Sequence, residues 1–138
     1  MTLEQFKKLS DNEKYYFREK AIDKAFEIQK KEGKHIIIDG HLVFAKGENE
    51  FENVMTEKDK TFYTDYIYLN FPTETILQRQ QNDSDKKRNH SVKTISNWVA
   101  FELQELKKHC NKHNLNLHIL QTTGNKECVE FIFNYITI

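Results

Sequence analysis

Residues 35–41 read His35-Ile36-Ile37-Ile38-Asp39-Gly40-His41. Three consecutive β-branched residues predict a short strand over His35–Asp39. An apolar run without polar alternation suits a strand covered on both faces, as in parallel sheets. Asp39 would then stand at a strand's C-terminal end, where open α/β sheets bind ligands, and Gly40 would turn the chain away.

Upstream of this run, Thr2-Leu3-Glu4-Gln5 can form a capping box, with Leu3, Phe6 and Leu9 as one apolar edge. Ser10-Asp11-Asn12-Glu13 is a second box. It predicts a longer helix that buries Tyr15, Ile22, Ala25 and Phe26 and stops at Gly33. Downstream, residues 45–60 are polar, carry Gly47 and read as a loop. Tyr66-Ile67-Tyr68-Leu69-Asn70 predicts a second strand, and Pro72 suits the first turn of a helix running to about Gln80. Residues 81–90 are the most charged stretch. Ser91 then caps a long helix whose apolar face is Val92, Ile95, Val99, Leu103, Leu106 and Cys110, spaced three or four apart. Leu115–Leu120 reads as a third strand, Gly124 as a turn, and Glu127–Tyr135 as a last helix or, from its Phe, Ile and Val content, a strand. Helices alternating with short apolar strands indicate an α/β fold with a mainly parallel sheet.

The chain of 138 residues fits one domain, read as helical over 1–33, a strand–helix core over 34–80, a lid-like segment over 81–90, and a long helix, last strand and C-terminal element over 91–138. Lys+Arg and Asp+Glu are equal at 21 each, which argues against a dedicated nucleic-acid binder. The apolar runs are too short to span a bilayer, and Met1-Thr2-Leu3-Glu4 lacks the basic start of a secretory signal. Cys110 and Cys128 form no CxxC pair. We expect them to be reduced thiols in a cytoplasmic protein. His109 and His113 stand at i and i+4, a spacing that can bind zinc, but no other Cys or His cluster accompanies them and no metal site is assigned. Trp98, the single tryptophan, reads as packing.

In their order, these segments resemble the nucleoside-monophosphate-kinase-like branch of the P-loop kinases. Ile36-Ile37-Ile38-Asp39-Gly40-His41 is similar to the strand and Asp-Gly-His segment of archaeal-type adenylate kinases. Tyr66-Ile67-Tyr68-Leu69, with Pro72 and Ile76-Leu77-Gln78-Arg79, resembles the family's strand, proline and arginine-ending helix. Asn82-Asp83 with Lys86 and Arg88 is similar to its basic lid. Ser91, Ile95, Trp98, Glu102, Leu106 and Cys110 resemble one group of AAA-type ATP-binding proteins, as do Thr56, Asp59, Tyr63 and Thr64. The resemblance covers about Ser10 to Leu120. Position 86 is Lys where the family has Arg, and position 99 is Val where the closer group has Gln. The family's GxxxxGK[ST] loop is not among these residues: the four glycines are Gly33, Gly40, Gly47 and Gly124, and no Gly-Lys-Ser/Thr is present.

The resemblance implies a three-layer P-loop-kinase-like α/β fold with a short parallel sheet, N-terminally truncated so that the P-loop strand is missing. It implies Asp39 as a catalytic residue that orients Mg²⁺ near phosphates. It further implies His41, Arg79, Asp83, Lys86 and Arg88 as substrate- or phosphate-binding residues, because the guanidinium fork donates paired, charge-assisted hydrogen bonds. Gln121, Thr122 and Gly124 would lie by the nucleotide base. Beside each stands a plainer reading: an Asp-Gly turn, an exposed loop histidine, a solvated charged loop and a connecting turn. ATP and Mg²⁺ are the implied cofactors, neither required for folding. The implied chemistry is phosphoryl transfer from ATP to a small acceptor. The missing loop would leave the chain catalytically incomplete alone, so its standing as an enzyme is open. The alternative is a non-enzymatic binding or interaction module that reuses the scaffold. Expected partners are a nucleotide or small phosphorylated ligand, and a second copy or another protein that completes the sheet, with Tyr15, Tyr16 and Phe17 as interface residues.

Overall fold

In the computed structural model the described residues are 1–84, 90–121 and 124–137. They form two compact units: Met1–His41 with Val54–Thr64, and Leu42–Asn53 with Asp65–Ile138.

The first unit is helical and starts where its local caps dictate. In α1 (Leu3–Lys7) the Thr2 hydroxyl accepts the Gln5 N–H at 3.2 Å, while the Gln5 amide oxygen accepts the Thr2 N–H at 2.8 Å. In α2 (Asp11–Glu32) Ser10 and Glu13 make the same reciprocal pair. The Ser10 backbone N–H, then its hydroxyl, hold the Glu13 carboxyl below its ordinary value. Gly33 ends α2 at φ 62, a left-handed conformation that costs glycine little. A third box, Thr56 with Asp59, opens α3 (Glu57–Phe62), and Thr56 is fully buried. α3 lies on α2. Lys58 Nζ reaches Asp23 Oδ1 at 2.6 Å, the Glu57 N–H donates to the Tyr15 hydroxyl at 2.9 Å, and the Phe26 and Phe62 rings meet edge to face. Burial, then the Asp59 charge, pushes the Tyr63 hydroxyl up to about 12.

Two expectations fail in this unit. Of the face assigned to α2 only Ile22 is buried; Ala25 is half-buried, and Tyr15 and Phe26 are exposed. The six residues of α3 span about two turns, too few to cover a helix of 22 residues. The run His35–Asp39 is not a strand. A strand exists only through a ladder, and this run has none among the described residues, so Ile37 is left 61% and Ile38 42% exposed.

The second unit contains both sheets. β1 (Val43–Ala45) and β2 (Phe51–Asn53) form an antiparallel hairpin, so the expected loop over 45–60 is instead hairpin plus α3. The hairpin is held by α5 (Val92–His113), which Ser91 caps by accepting the Thr94 N–H at 3.1 Å. Val43 is fully buried. Its N–H donates to Glu102 Oε2 at 3.1 Å, and its carbonyl accepts the Trp98 indole N–H at 3.0 Å. Trp98 and Glu102 lie one turn apart on α5, so one helix face satisfies both backbone groups of a buried residue. Phe51 packs between Trp98 and Phe101. The polarity that suggested a loop concealed a hairpin whose partners come from a distant helix.

β3 (Asp65–Asn70) and β4 (Asn116–Gln121) pair in parallel, in register from Asp65↔Asn116 to Asn70↔Gln121. Alternation sends Tyr66, Tyr68, Leu117 and Ile119 to one face and Ile67, Leu69, His118 and Leu120 to the other. α5 covers the first face. The Tyr66 hydroxyl and His109 Nε2 share a hydrogen bond at 3.3 Å, and burial, then the nearby Glu102 carboxylate, raises the Tyr68 hydroxyl. α6 (Asn125–Ile136) covers the second. His118 meets the Tyr135 ring at 4.7 Å, and the Tyr135 hydroxyl donates to Asp65. This is a helix–sheet–helix sandwich around two parallel strands. α4 (Thr73–Asn82) follows Pro72 and packs on α5. Ile95, Leu106, Cys110 and Cys128 form the buried apolar core, and both cysteines are free. No helix among the described residues is long and apolar enough to cross a membrane.

Candidate functional site at the end of the parallel strands

Because β3 and β4 run parallel, their C-terminal ends share one edge. Asn70 and Gln121 are the last paired residues, and the Asn70 amide donates to Gln121 Oε1 at 3.0 Å. From Asn70 the chain passes through Phe71 and Pro72 into α4. Beyond Gln121 it resumes at Gly124, the N-cap residue of α6. Arg79, on the last turn of α4, ties the two exits together. Its Nη2 donates to Asn125 Oδ1 at 3.2 Å, and its guanidinium carbon lies 4.3 Å from the centre of the Phe71 ring. An arginine stacked on an aromatic face loses less freedom when it meets a planar anion. One of its five N–H groups is used on Asn125, and the residue remains exposed.

Beside it lies an open groove of about 260 Å³ lined by Ile76, Arg79, Gln80 and Asp83. Gln80 Oε1 is buried there without a hydrogen-bond partner. The groove is smaller than the roughly 300–1,000 Å³ of pockets that enclose a whole small molecule. It can receive part of a ligand beside Arg79 and Asp83.

Of the residues singled out from the sequence, the fold brings Arg79, Gln121 and Gly124 to one strand edge and puts Asp83 in the adjoining groove. Lys86, Arg88 and Thr122 lie outside the described residues. Asp39 and His41 belong to the first unit, in exposed chain outside any helix or strand that follows the isoleucine run, rather than at a strand end. His109 and His113 have ring centres 4.8 Å apart, but His109 is buried against Tyr66. No group of three or more His, Cys, Asp or Glu able to hold a metal forms among the described residues. Sequence reading missed Asn70 and Phe71. Their signal was available: each stands at the end of, or just beyond, a run assigned to a parallel sheet, where such sheets present their ligand edge.

Residues 1–99 match a protein family described as an AAA domain. No curated protein and no solved structure matches the chain.

Proposed function

The chain belongs to the AAA-domain family, a P-loop NTPase and kinase-like family, and from that premise we propose that its second unit receives a nucleotide or a small phosphorylated ligand at the C-terminal edge of β3 and β4. The observation that carries this reading is Arg79: a guanidinium held against Phe71 and Asn125 at the edge where parallel strands bind ligands. In this reading Arg79 contacts phosphate, with Lys86 and Arg88 as further cations and Asp83 among them. Gln121, Thr122 and Gly124 lie by the base; Asp39 and His41, in the first unit, are proposed separately as residues for Mg²⁺ and the acceptor and are not built into this edge site. ATP with Mg²⁺ is the proposed nucleotide, and the cytoplasm the proposed compartment.

The GxxxxGK[ST] motif that brings the phosphate cradle, the P-loop lysine and the Mg²⁺-binding hydroxyl is not among these 138 residues. Positioning and electrostatics are nearly the whole of phosphoryl-transfer catalysis. The proposal is therefore binding without turnover by this chain alone. Calorimetry with ATP should give weak, salt-sensitive binding that Arg79→Ala removes. Unchanged binding in that variant would sink the site, and Mg²⁺-dependent phosphate transfer that survives repurification and is lost in Asp39→Ala would sink the claim of no turnover.

The second reading, an interaction module, is favoured by one observation: the exposed β-branched run Ile36–Ile38. It predicts no nucleotide effect on proteolysis around Arg79.

A further inference from the structure

The run His35–Asp39 combines three properties that pull against one another. It is β-branched at every central position, it lies outside every helix and strand and without a ladder among the described residues, and it leaves Ile37 and Ile38 exposed at 61% and 42%. Gly33 turns the chain out of α2 just before it, and Gly40 follows it. It contains no proline, glycine or lysine of the kind that blunts an edge strand.

The order of its residues adds a further fact. In antiparallel pairing with a second copy, centred on Ile37, Ile36 falls opposite Ile38 and His35 falls opposite Asp39. A twofold interface pairs residue i with j and j with i, and this segment meets that condition with apolar residues facing apolar ones and a base facing an acid at both ends. We propose that His35–Asp39 is a self-pairing segment through which two copies of this chain associate by an antiparallel ladder centred on Ile37. An imidazole directly across the ladder from a carboxylate favours this register, and a one-residue slip would lose both pairs. The proposal does not depend on the nucleotide reading: loss of ATP binding leaves it standing.

A two-stranded ladder this short is marginal in water, so the dimer should be weak and visible only as concentration rises. Sedimentation velocity from micromolar to millimolar concentration should show a monomer passing to a dimer. Amide exchange at Ile36–Ile38 should slow over the same range. Ile37→Pro should stay monomeric throughout while keeping the helical circular dichroism of the parent, because residue 37 lies outside every helix. His35→Asp places two carboxylates opposite each other at both ends and should weaken association about tenfold. Adding Asp39→Lys should restore it. A parent chain that remains monomeric at millimolar concentration overturns the proposal, whether the run pairs with another protein or with nothing. So does a dimer that survives Ile37→Pro, or a double charge variant no tighter than His35→Asp alone. The charge-swap pair keeps the test decisive even if Ile37→Pro fails to fold.

Discussion

Ile36-Ile37-Ile38 and Tyr66-Ile67-Tyr68-Leu69 read alike as short apolar runs suited to strands, yet only the second forms one. β3 has β4 alongside it in register, α5 on one face through Tyr66–His109 and the Tyr68–Glu102 contact, and α6 on the other through Asp65–Tyr135. The isoleucine run has no ladder among the described residues and keeps two of its three side chains in solvent. Propensity is the same in kind; what differs is whether neighbours arrive to satisfy the backbone and cover the side chains.

The sharpest way to break this comparison is proline in each run. Ile67→Pro puts a rigid ring in the middle of a strand paired with β4, and should cost about 3 kcal/mol or more. Ile37→Pro, in dilute protein, should stay within about 0.5 kcal/mol. Urea denaturation followed by circular dichroism measures both. Equal losses would mean that the first run is structured after all.

The Val43 clamp tests how far satisfied backbone groups, rather than propensity, make the hairpin. Trp98→Phe keeps the ring but leaves the buried Val43 carbonyl without its donor, and should cost about 1–3 kcal/mol. Glu102→Ala strands the Val43 N–H and should cost a similar amount. A double variant less damaging than the sum would show that the two act as one unit.

A smaller effect is expected at the end of α2. Gly33→Ala forces a side chain into φ 62 and should cost about 1–2 kcal/mol, although no atom lies within 4 Å of the added carbon. Thermal unfolding of the pair separates this backbone strain from crowding.

The smallest signal is the dependence on pH. Tyr63 titrates at an ordinary value of 10.0 when unfolded and is pushed up to about 12 by burial. The folded state holds this proton more tightly, so its contribution is full below pH 10 and is lost as pH rises to about 12. Tyr63→Phe should flatten that slope. A parent chain whose stability does not change across this window would show that Tyr63 is as solvated as the isoleucines of the unpaired run.

By itself the sequence determined where α1, α2, α4 and α5 begin and where α2 stops, but it hid α3 in a stretch read as a loop and left α6 open between helix and strand. Thr2 with Gln5, Ser10 with Glu13, Gly33, Pro72 and Ser91 mark real helix ends, because capping acts between residues three or four apart. Arg79, Gln121 and Gly124 were singled out through their order along the chain and its resemblance to a family. The tertiary structure alone decided that the isoleucine run is no strand and that 43–53 is a hairpin. It also decided that α2 buries only Ile22 and that Asn70 meets Gln121 while Phe71 and Asn125 meet Arg79. The physical reason is range. Val43 meets Glu102 across 59 residues and Arg79 meets Asn125 across 46, and no local pattern records which distant groups will arrive to pair with a segment.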